Sequence, residues 1–260
     1  MARNALLPDE RRRLIALRLR QNGSVSVAML EAQFDISAMT ARRDLVELER
    51  RGIARRTHGG AVLPGLSRHE DSFLQRLDVA VDAKERIAEA ALELVEPGQA
   101  LFVDSSTTAY FVARRIVREN LRCTLLTNAV SVVQLVSEVD APQVDVIAAG
   151  GTLRKLTRSL VGPEAVRGIE AHFADQVLFS VRGITADGHL TDPDALEAEV
   201  KRAMVKRAAR AVLLADGSKF ERAALTRIAD ISDVALLIAA DVPEHALAPL
   251  EQAGIDVRRA

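Results

Sequence analysis

Two stretches of the sequence carry residue types that bind anions. Arg42 and Arg43 are adjacent in SAMTARRDLVELERRG (37–52), near the start of a predicted helix. The start of a helix already carries partial positive charge, so two arginines there are unfavourable unless an external anion neutralises them. In the second stretch, VDSSTTA (103–109), hydroxyls occupy a turn between a predicted strand and a predicted helix. Hydroxyl donors and free amides at a helix start suit a phosphate. The first stretch therefore indicates a polyanion and the second a small anion.

The sequence contains no pattern typical of a metal site or of a cofactor-binding site. A single cysteine, Cys123, excludes an internal disulfide and a zinc site built from several cysteines. The five histidines, at 58, 69, 172, 189 and 245, lack HExxH or similar ligand spacing. The DGSK stretch at 216–219 lacks the P-loop spacing, and there is no GxGxxG for a dinucleotide. We therefore predict no metal and no cofactor.

Charge is distributed unevenly along the 260 residues, although the net charge is only −1. Residues 1–60 contain 12 arginines, no lysine and 7 acidic residues, a net charge of about +5, which leaves about −6 for the remainder. This asymmetry favours a basic domain that binds a polyanion, joined to a second part of the chain that does not bind one. Chance is the alternative, because the excess alone favours nucleic acid only slightly.

Length and composition suit two domains with a substantial core, since 48% of the residues are hydrophobic and 27% are charged. No apolar run approaches the roughly 20 residues that cross a bilayer. The N-terminal residues MARNALLPDERRR lack the apolar region of a signal peptide. We therefore expect a cytoplasmic protein without a membrane partner.

The elements that position the arginine pair are three short helices and a β-ribbon. The first helix is predicted over 8–21, with Leu14, Ile15 and Leu17 in its apolar stripe. Ser26 is placed to cap a second helix, VAMLEAQF, which a tight connection separates from the third.

The third helix begins after Ser37, a good N-cap, and IARRTHGGAVL (53–63) then has short extended stretches around two glycines. This is the order of a winged helix-turn-helix, in which the N-terminal part of the third helix faces base edges and phosphates. Arg42 and Arg43 would then meet guanine or phosphate. The alternative is that they are solvated helix charges paired with Glu47.

We predict nine DNA-binding residues from this arrangement. Hydroxyls donate to phosphate oxygens, arginines bind guanine or phosphate, and the wing lies beside the groove. The predicted set is Ser26, Ser37, Met39, Thr40, Arg42, Arg43, Arg55, Arg56 and His58. For His58 the alternative is a hairpin that only packs on the first helix.

The rest of the chain predicts a linker and an α/β domain. Residues 64–82 are polar and aperiodic, although Phe73 and Leu77 are expected to dock. From 83 onwards a helix is followed by apolar runs that alternate with amphipathic segments. The runs predicted as strands are 100–103, 124–127, 144–149, 176–180, 211–215, 234–239 and 255–258. The segments predicted as helices include 107–118, 129–138 and 194–209. Such alternation predicts a mostly parallel sheet covered on both faces.

Four loops that follow predicted strands form the candidate anion pocket, since ligands of open α/β sheets bind beyond the carboxyl ends of the strands. The predicted effector-binding residues in these loops are Asp104, Ser105, Ser106, Thr107, Thr108, Asn128, Gly150, Gly151, Asp216 and Lys219. Paired glycines allow close backbone approach, and lysine binds phosphate or hydroxyl. The alternative is that Ser105 or Ser106 merely caps the helix.

These motifs together resemble the DeoR family of bacterial transcriptional regulators. The stretch 24–62 resembles that family's DNA-binding domain, with ISAMTARRDL (36–45) as recognition helix and RTHGGA (56–61) as wing. The similarity continues through DSSTT, TNAV, GGTLRKLTRSLVGPEA, EAEVKRAMVKRA and ADGSKF. It implies a repressor-like regulator of sugar catabolism that binds double-stranded operator DNA as a homo-oligomer, a dimer or a tetramer. It also implies a C-terminal domain that resembles ribose-5-phosphate isomerase and senses a phosphorylated sugar or related metabolite.

Three residues depart from the family pattern. Ala41 replaces a branched residue, which would loosen packing under the recognition helix. Ser106 replaces a glycine, and a left-handed backbone there would be strained. Arg182, where a small or acidic residue is usual, would add an anion contact, and we include it in the effector set, or would close the pocket. The predicted domain division is a winged helix-turn-helix domain at 1–63, a linker at 64–82 and a sugar-phosphate-sensing α/β domain at 83–260.

An enzyme is the rival hypothesis, either a sugar-phosphate isomerase or a catalyst similar to CoA-transferases. Isomerisation needs a base near a substrate C–H, and Asp104, Asp187, Glu197 and Asp216 are available. No spacing singles one of them out, so no catalytic residue is predicted, and a fold alone does not imply an activity. A structural adaptor without an effector is the third hypothesis.

Overall fold

The computed structural model describes residues 8–22, 24–51, 53–57, 59–62 and 71–260. It divides into two compact units, Met1–Glu70 and Asp71–Ala260.

The first unit contains the predicted helices and ribbon. Its helices are α1 (Pro8–Asn22), α2 (Val27–Phe34) and α3 (Ala38–Arg50). Its strands are β1 (Ser24–Ser26), β2 (Arg55–Thr57) and β3 (Gly60–Val62), which form an antiparallel sheet in the order β1-β3-β2. The order of a winged helix-turn-helix is therefore confirmed, with β1 as an additional strand. Gly23 and Gly52, the expected ends of α1 and α3, lie outside the described residues.

The core of the first unit differs from the predicted stripe on α1. Ile15 and Leu19 are fully buried, one helical turn apart, whereas Leu14 and Leu17 are 37% and 50% exposed. The prediction was wrong for Leu14 and Leu17 because α1 packs on one narrow face, which positions 15 and 19 occupy. That face meets a core of small and branched side chains: Val25, Leu30, Ala41, Leu45, Leu48, Ala54 and Ala61. Ala41 belongs to this core and is fully buried.

The second unit alternates strands and helices, as predicted. Its helices are α4 (Phe73–Leu77), α5 (Val81–Leu92), α6 (Thr107–Arg118), α7 (Val130–Glu138), α8 (Pro163–Glu170), α9 (Ala195–Arg207) and α10 (Glu244–Gln252). Its strands are β4 (Ala100–Val103), β5 (Cys123–Thr127), β6 (Val144–Ala148), β7 (Thr152–Arg154), β8 (Ser159–Val161), β9 (Ala174–Phe179), β10 (Gly183–Ile184), β11 (His189–Asp192), β12 (Ala208–Asp216), β13 (Thr226–Asp230), β14 (Leu236–Ala240) and β15 (Asp256–Arg259).

Seven of these strands form one sheet in the order β15-β14-β12-β9-β4-β5-β6, and every neighbouring pair in it is parallel. Side chains alternate between its faces, so Leu101 and Val103 join one buried cluster and Phe102 joins the other. Helices α5 to α7 cover the first face and α8 to α10 the second. The predicted α/β class with a parallel sheet is confirmed. No helix among the described residues is long and apolar enough to span a bilayer.

The described part of the predicted linker, 71–82, belongs to the second unit. It contains α4 and the start of α5. Phe73 is buried, packs edge-on against the ring of Tyr110 with centroids 5.5 Å apart, and donates its amide to the carbonyl of Leu156 at 2.8 Å. The aperiodic sequence gave no sign of α4, because a helix of one turn and a half depends on such contacts rather than on its own periodicity.

Candidate DNA interface and anion site

Helix α3 presents one exposed face. Met39, Arg42, Arg43 and Val46 are exposed, with Arg42 and Arg43 each three or four residues from Met39 and Val46, whereas Ala41, Leu45 and Leu48 are buried on the opposite side. The exposed set therefore lies on one side of the helix. Val46 is an addition to the predicted residues, and it is 45% exposed although apolar.

The predicted serines cap the helices that form this motif. Ser37 accepts a hydrogen bond from the Thr40 amide at 3.3 Å, and the two hydroxyls lie 3.0 Å apart. Ser26 caps α2 by accepting from the Met29 amide at 3.1 Å. These contacts place the serine and threonine hydroxyls at helix N-termini, where amides point outward.

The pairing of Arg42 and Arg43 with Glu47 does not occur. Glu47 instead accepts hydrogen bonds from Arg50 and Arg51, each at 2.7 Å, and these bonds lower the pKa of Glu47 to about 2. Within the described part of the chain, neither Arg42 nor Arg43 has an ion pair or hydrogen bond from its side chain. Both guanidinium groups are exposed.

The acidic residue of the RRDL motif has an internal role that the sequence did not reveal. Asp44 is 1% exposed and accepts hydrogen bonds from Nε of Arg11 at 2.5 Å and Nε of Arg12 at 2.9 Å. These bonds join α3 to α1 and fix the orientation of the exposed face. Asp44 lies three residues after Ala41 and four before Leu48, so its position in the apolar stripe of α3 is the sequence feature that could have indicated its burial.

The wing is partly described. Arg56 donates Nε–H to Glu49 at 2.7 Å, its amide donates to the same carboxylate at 2.8 Å, and both contacts lower the pKa of Glu49. The side chain of Arg55 and the whole of His58 lie outside the described residues. Gly59 lies in the turn and Gly60 in β3, where an added Cβ would lie 2.0 Å from the carbonyl oxygen of Val25.

The candidate anion site lies at one edge of the parallel sheet, the edge formed by the carboxyl ends of its strands. Because the strands are parallel, the loops that follow β4, β5, β6, β9 and β12 meet at this edge. The effector-binding residues predicted from the sequence lie in these loops, in the first turn of α6 or, for Asp216, at the last position of β12.

Ser106 caps α6 without backbone strain. Its φ of −73° and ψ of 152° are extended, its Oγ accepts from the Ala109 amide at 3.1 Å, and its hydroxyl donates to Asp104 at 2.5 Å. Substituting serine for glycine therefore requires no left-handed backbone. The amides of Thr107 and Thr108, in the first turn, have no intrahelical acceptor and remain suited to an anion.

Glu197 of α9 is a buried member of the site that the prediction considered only as a base. Its carboxylate accepts hydrogen bonds from Ser105 at 2.9 Å, Thr157 at 2.7 Å and Ser159 at 2.5 Å. Burial raises the pKa of Glu197, against the lowering effect of Lys201. Glu197 therefore orients the Ser105 hydroxyl.

Lys201, one turn further along α9, was not predicted at all. Its Nζ lies 2.8 Å from Asp192, 3.3 Å from Asp104 and 2.9 Å from the carbonyl oxygen of Ser180. These carboxylates raise the pKa of Lys201 against the opposing effect of burial. The spacing of Glu197 and Lys201, four residues apart on the face of α9 that also carries buried Ala198 and Met204, is a pattern that could have indicated this pair.

The predicted floor of the pocket is only partly free to meet a ligand. Asn128 is buried, donates to the Leu160 carbonyl at 3.1 Å, and leaves its Oδ1 without a partner among the described residues. A Cβ added at Gly150 would meet no described atom within 4 Å, whereas one at Gly151 would lie 2.7 Å from the carbonyl oxygen of Val161. Packing thus accounts for Gly151, and Gly150 faces open space.

The remaining predicted residues carry charge. Asp216 accepts from the Ser218 amide at 2.8 Å, and its other oxygen lies 3.8 Å from Nζ of Lys219. Arg182 lies 3.1 Å from Asp71, so a charged residue ahead of α4 reaches the loop after β9.

Comparison with known proteins finds one family match for the helix-turn-helix region and another for the α/β region. The model of the DeoR-like helix-turn-helix domain matches residues 11–65, and that of the DeoR C terminal sensor domain matches 79–241. The glycerol-3-phosphate regulon repressor of Haemophilus influenzae is 35% identical over 86% of each chain. The transcriptional regulator GlpR of Haloferax volcanii is 33% identical over 97% of this chain and 98% of its own.

Ribose 5-phosphate isomerase A of Methanocaldococcus jannaschii aligns over 54% of each chain with 16% identity and a TM-score of 0.39, a likeness too low to bear on activity. The two matched domains cover most of the chain, and the matched relatives extend over nearly all of it. The chain belongs to the DeoR family of transcriptional regulators.

Proposed function

We propose that this regulator represses genes for the breakdown of a sugar or polyol, and that a phosphorylated sugar or polyol controls its binding to operator DNA. The exposed face of α3 supports the DNA-binding part, because Arg42 and Arg43 stand there without acidic partners among the described residues. The effector part is supported by the hydroxyl-rich turn at 105–108 and by the glycerol-3-phosphate regulon that the Haemophilus influenzae relative is named for. We assign DNA binding to the first unit and effector binding to the second.

The DNA-binding residues that we propose combine base and phosphate contacts. Arg42 and Arg43 bind guanine or phosphate, and the exposed apolar side chains of Met39 and Val46 are suited to thymine methyl groups. The amides at the N-terminus of α3 bind phosphate. A single winged helix covers one half-site, so we propose a homo-oligomer, a dimer or a tetramer, that acts on DNA in the cytoplasm.

The test is a gel-shift titration of the full chain on duplex DNA from upstream of the sugar-catabolic genes that it controls. Arg42→Ala or Arg43→Ala should cost about 1–3 kcal/mol if the contact is bidentate to a base. A phosphate contact would instead weaken all sequences similarly and reduce the salt dependence. The matched control is Arg167→Ala, which removes an exposed arginine from the second unit. Wild-type affinity in both α3 variants would contradict the assignment.

We propose binding rather than catalysis at the sheet edge. The carboxylates of Asp104 and Glu197 are each held by several internal donors, so neither is free to act as a base. Turnover of ribose 5-phosphate by the purified protein would contradict this part of the proposal. Light scattering that detects only monomers at micromolar concentration would contradict the oligomer.

A further inference from the structure

Helix α4 lies against the elements that form the anion site. Phe73 packs on Tyr110 in the first turn of α6, and its amide binds Leu156 in the turn between β7 and β8. The next residue in that turn, Thr157, donates to Glu197. Helix α4 falls between the two matched segments, 11–65 and 79–241, so neither family model assigns it a role.

Arg76 of α4 carries the least satisfied polar group in this region. Its Nε and Nη2 are buried and have no hydrogen-bond partner among the described residues. Buried polar atoms are nearly always satisfied in native proteins, so two buried guanidinium nitrogens without an acceptor are costly. A bound anion would supply acceptors for both nitrogens.

Other cations belong to the same region as Arg76. The buried Lys84 donates Nζ–H to the carbonyls of Arg76 and Val79, and Lys219 and Arg182 stand on the neighbouring strand-end loops. Asp216 is near Lys219 and Asp71 pairs with Arg182. Within the described part of the chain, no carboxylate lies within ion-pair distance of Arg76 or Lys84.

The effects of these charges on one another support their proximity. Burial and the positive charges of Lys219 and Arg76 lower the pKa of Lys84 to about 8, although Asp216 and the exposed Asp78 oppose this. Burial and the charges of Arg182 and Arg76 likewise lower the pKa of Lys219. Arg76 therefore acts on both lysines, and an anion among the three would be attracted by all of them.

We infer that Arg76 is an anion-binding residue of the effector site and that it takes the dianionic phosphate of a phosphate monoester. This inference rests on the proposed function. Arg76 and Lys84, neither of which has an ion pair among the described residues, match the two charges of a monoester, and the planar guanidinium binds two phosphate oxygens at once. A neutral sugar or a carboxylate would leave part of this charge uncompensated.

The test uses calorimetric titration of the full chain with inorganic phosphate, glycerol 3-phosphate and glycerol. Wild type should bind both phosphates and not glycerol, and Arg76→Met should bind them at least tenfold more weakly. Arg76→Lys should lie between the two. Leu74→Ala changes an exposed side chain of the same helix and should match wild type.

Thermal unfolding without ligand separates binding from a structural role. The Arg76→Met protein should melt at the wild-type temperature or above it, because the variant removes two buried nitrogens that have no hydrogen-bond partner among the described residues. Equal glycerol 3-phosphate affinity in wild type and Arg76→Met would overturn the inference and leave the proposed function standing. If wild type bound no phosphate ester at all, including other sugar phosphates, the proposed effector class would be wrong, and the inference would be wrong as well.

Discussion

The hydroxyl of Ser105 donates a 2.9 Å hydrogen bond to the carboxylate of Glu197, 92 positions further along the chain. This bond joins the turn after β4 to α9 and fixes a hydroxyl at the edge of the candidate site. The carboxylate is buried with two further hydroxyl donors, and burial raises its pKa. Burial therefore makes the ionised form of Glu197 less favourable in the folded protein, although its oxygens are needed as acceptors.

Glu197→Gln and Glu197→Ala should consequently differ in stability. The amide retains acceptor capacity without the cost of burying a charge, so the free energy of unfolding at pH 7 should equal or exceed that of wild type. Alanine leaves three buried hydroxyls without their acceptor and should cost about 1–3 kcal/mol for each group left unsatisfied. Urea denaturation measures both, and an equal loss in the two variants would mean that the charge itself stabilises the fold.

Asp44→Ala should unfold the first unit selectively. Removing the carboxylate leaves the buried Arg11 charge without this partner, and breaking a buried ion pair costs about 3–5 kcal/mol. Hydrogen exchange should become faster in residues 8–62 and stay unchanged in 71–260. The control is Asp9→Ala, which removes an exposed carboxylate that also contacts Arg12 and should cost less than about 1 kcal/mol. Faster exchange in both units would contradict the expectation that the first unit unfolds without the second.

Glu49→Gln should strengthen DNA binding. Glu49 holds Arg56 of the wing and adds a negative charge beside it, so the neutral amide would release the guanidinium for a phosphate. Each additional phosphate contact steepens the salt dependence of the logarithm of affinity by about 0.9. Gel shifts at several salt concentrations measure this change. The gain should vanish when Arg56→Ala is combined with it; a gain that persists would place the effect elsewhere.

Phosphate-ester binding should weaken as pH rises through about 8. The folded protein holds the pKa of Lys84 near 8, below its usual 10.5, so the cation is lost above that pH. Lys219, whose pKa is also lowered, acts in the same sense, whereas the neighbouring Arg76 stays charged. The ester loses its second charge below about pH 6, so affinity for glycerol 3-phosphate should be greatest between these limits.

Calorimetry across this pH range tests the assignment to Lys84. Lys84→Met should bind more weakly at pH 7 and lose much of the decline above pH 8. An unchanged decline in this variant would assign it to Lys219 alone. Binding at pH 8 should also take up protons, because a bound dianion raises the pKa of both lysines.

Cys123 should react with thiol reagents only after unfolding. Its thiol is 3% exposed, and burial raises its pKa to about 11, so very little thiolate exists at neutral pH. Labelling of the native protein should follow the rate of global opening of the second unit. Rapid labelling without denaturant would contradict the burial of β5.

Local periodicity was sufficient to predict most of the regular elements. The strand predicted at 100–103 and the helix predicted at 107–118 have the same bounds in the structure, because a buried run and an amphipathic stripe are visible within a few residues. The strands of the small sheet, β10, β11 and β13, were missed. They are short and gain their partners only through the tertiary fold.

The candidate site was predictable as a set of loops and not as a set of contacts. Parallel strands bring their carboxyl ends together, so the turn at 105–108 and Lys219 could be grouped from the sequence. The spacing of Glu197 and Lys201 could have indicated a pair on one face of α9, but it could not place that pair in the site, because their partners come from distant loops. Arg76 was missed for the same reason, since α4 has no periodicity of its own and depends on Phe73 for its position.

The pairing of the central strands of the seven-stranded sheet determines which unit folds first during synthesis. Strand β4 pairs with β9, and the nearby contact of Ala100 with Asp175 joins residues 75 positions apart. Contacts of such long range slow folding, whereas the first unit closes when Ser24 pairs with Val62. Because N-terminal domains fold first on the ribosome, a nascent chain should present its proposed DNA-binding face before β9 has been synthesised. Newly made molecules would then pass through an interval in which they bind DNA but cannot yet respond to an effector.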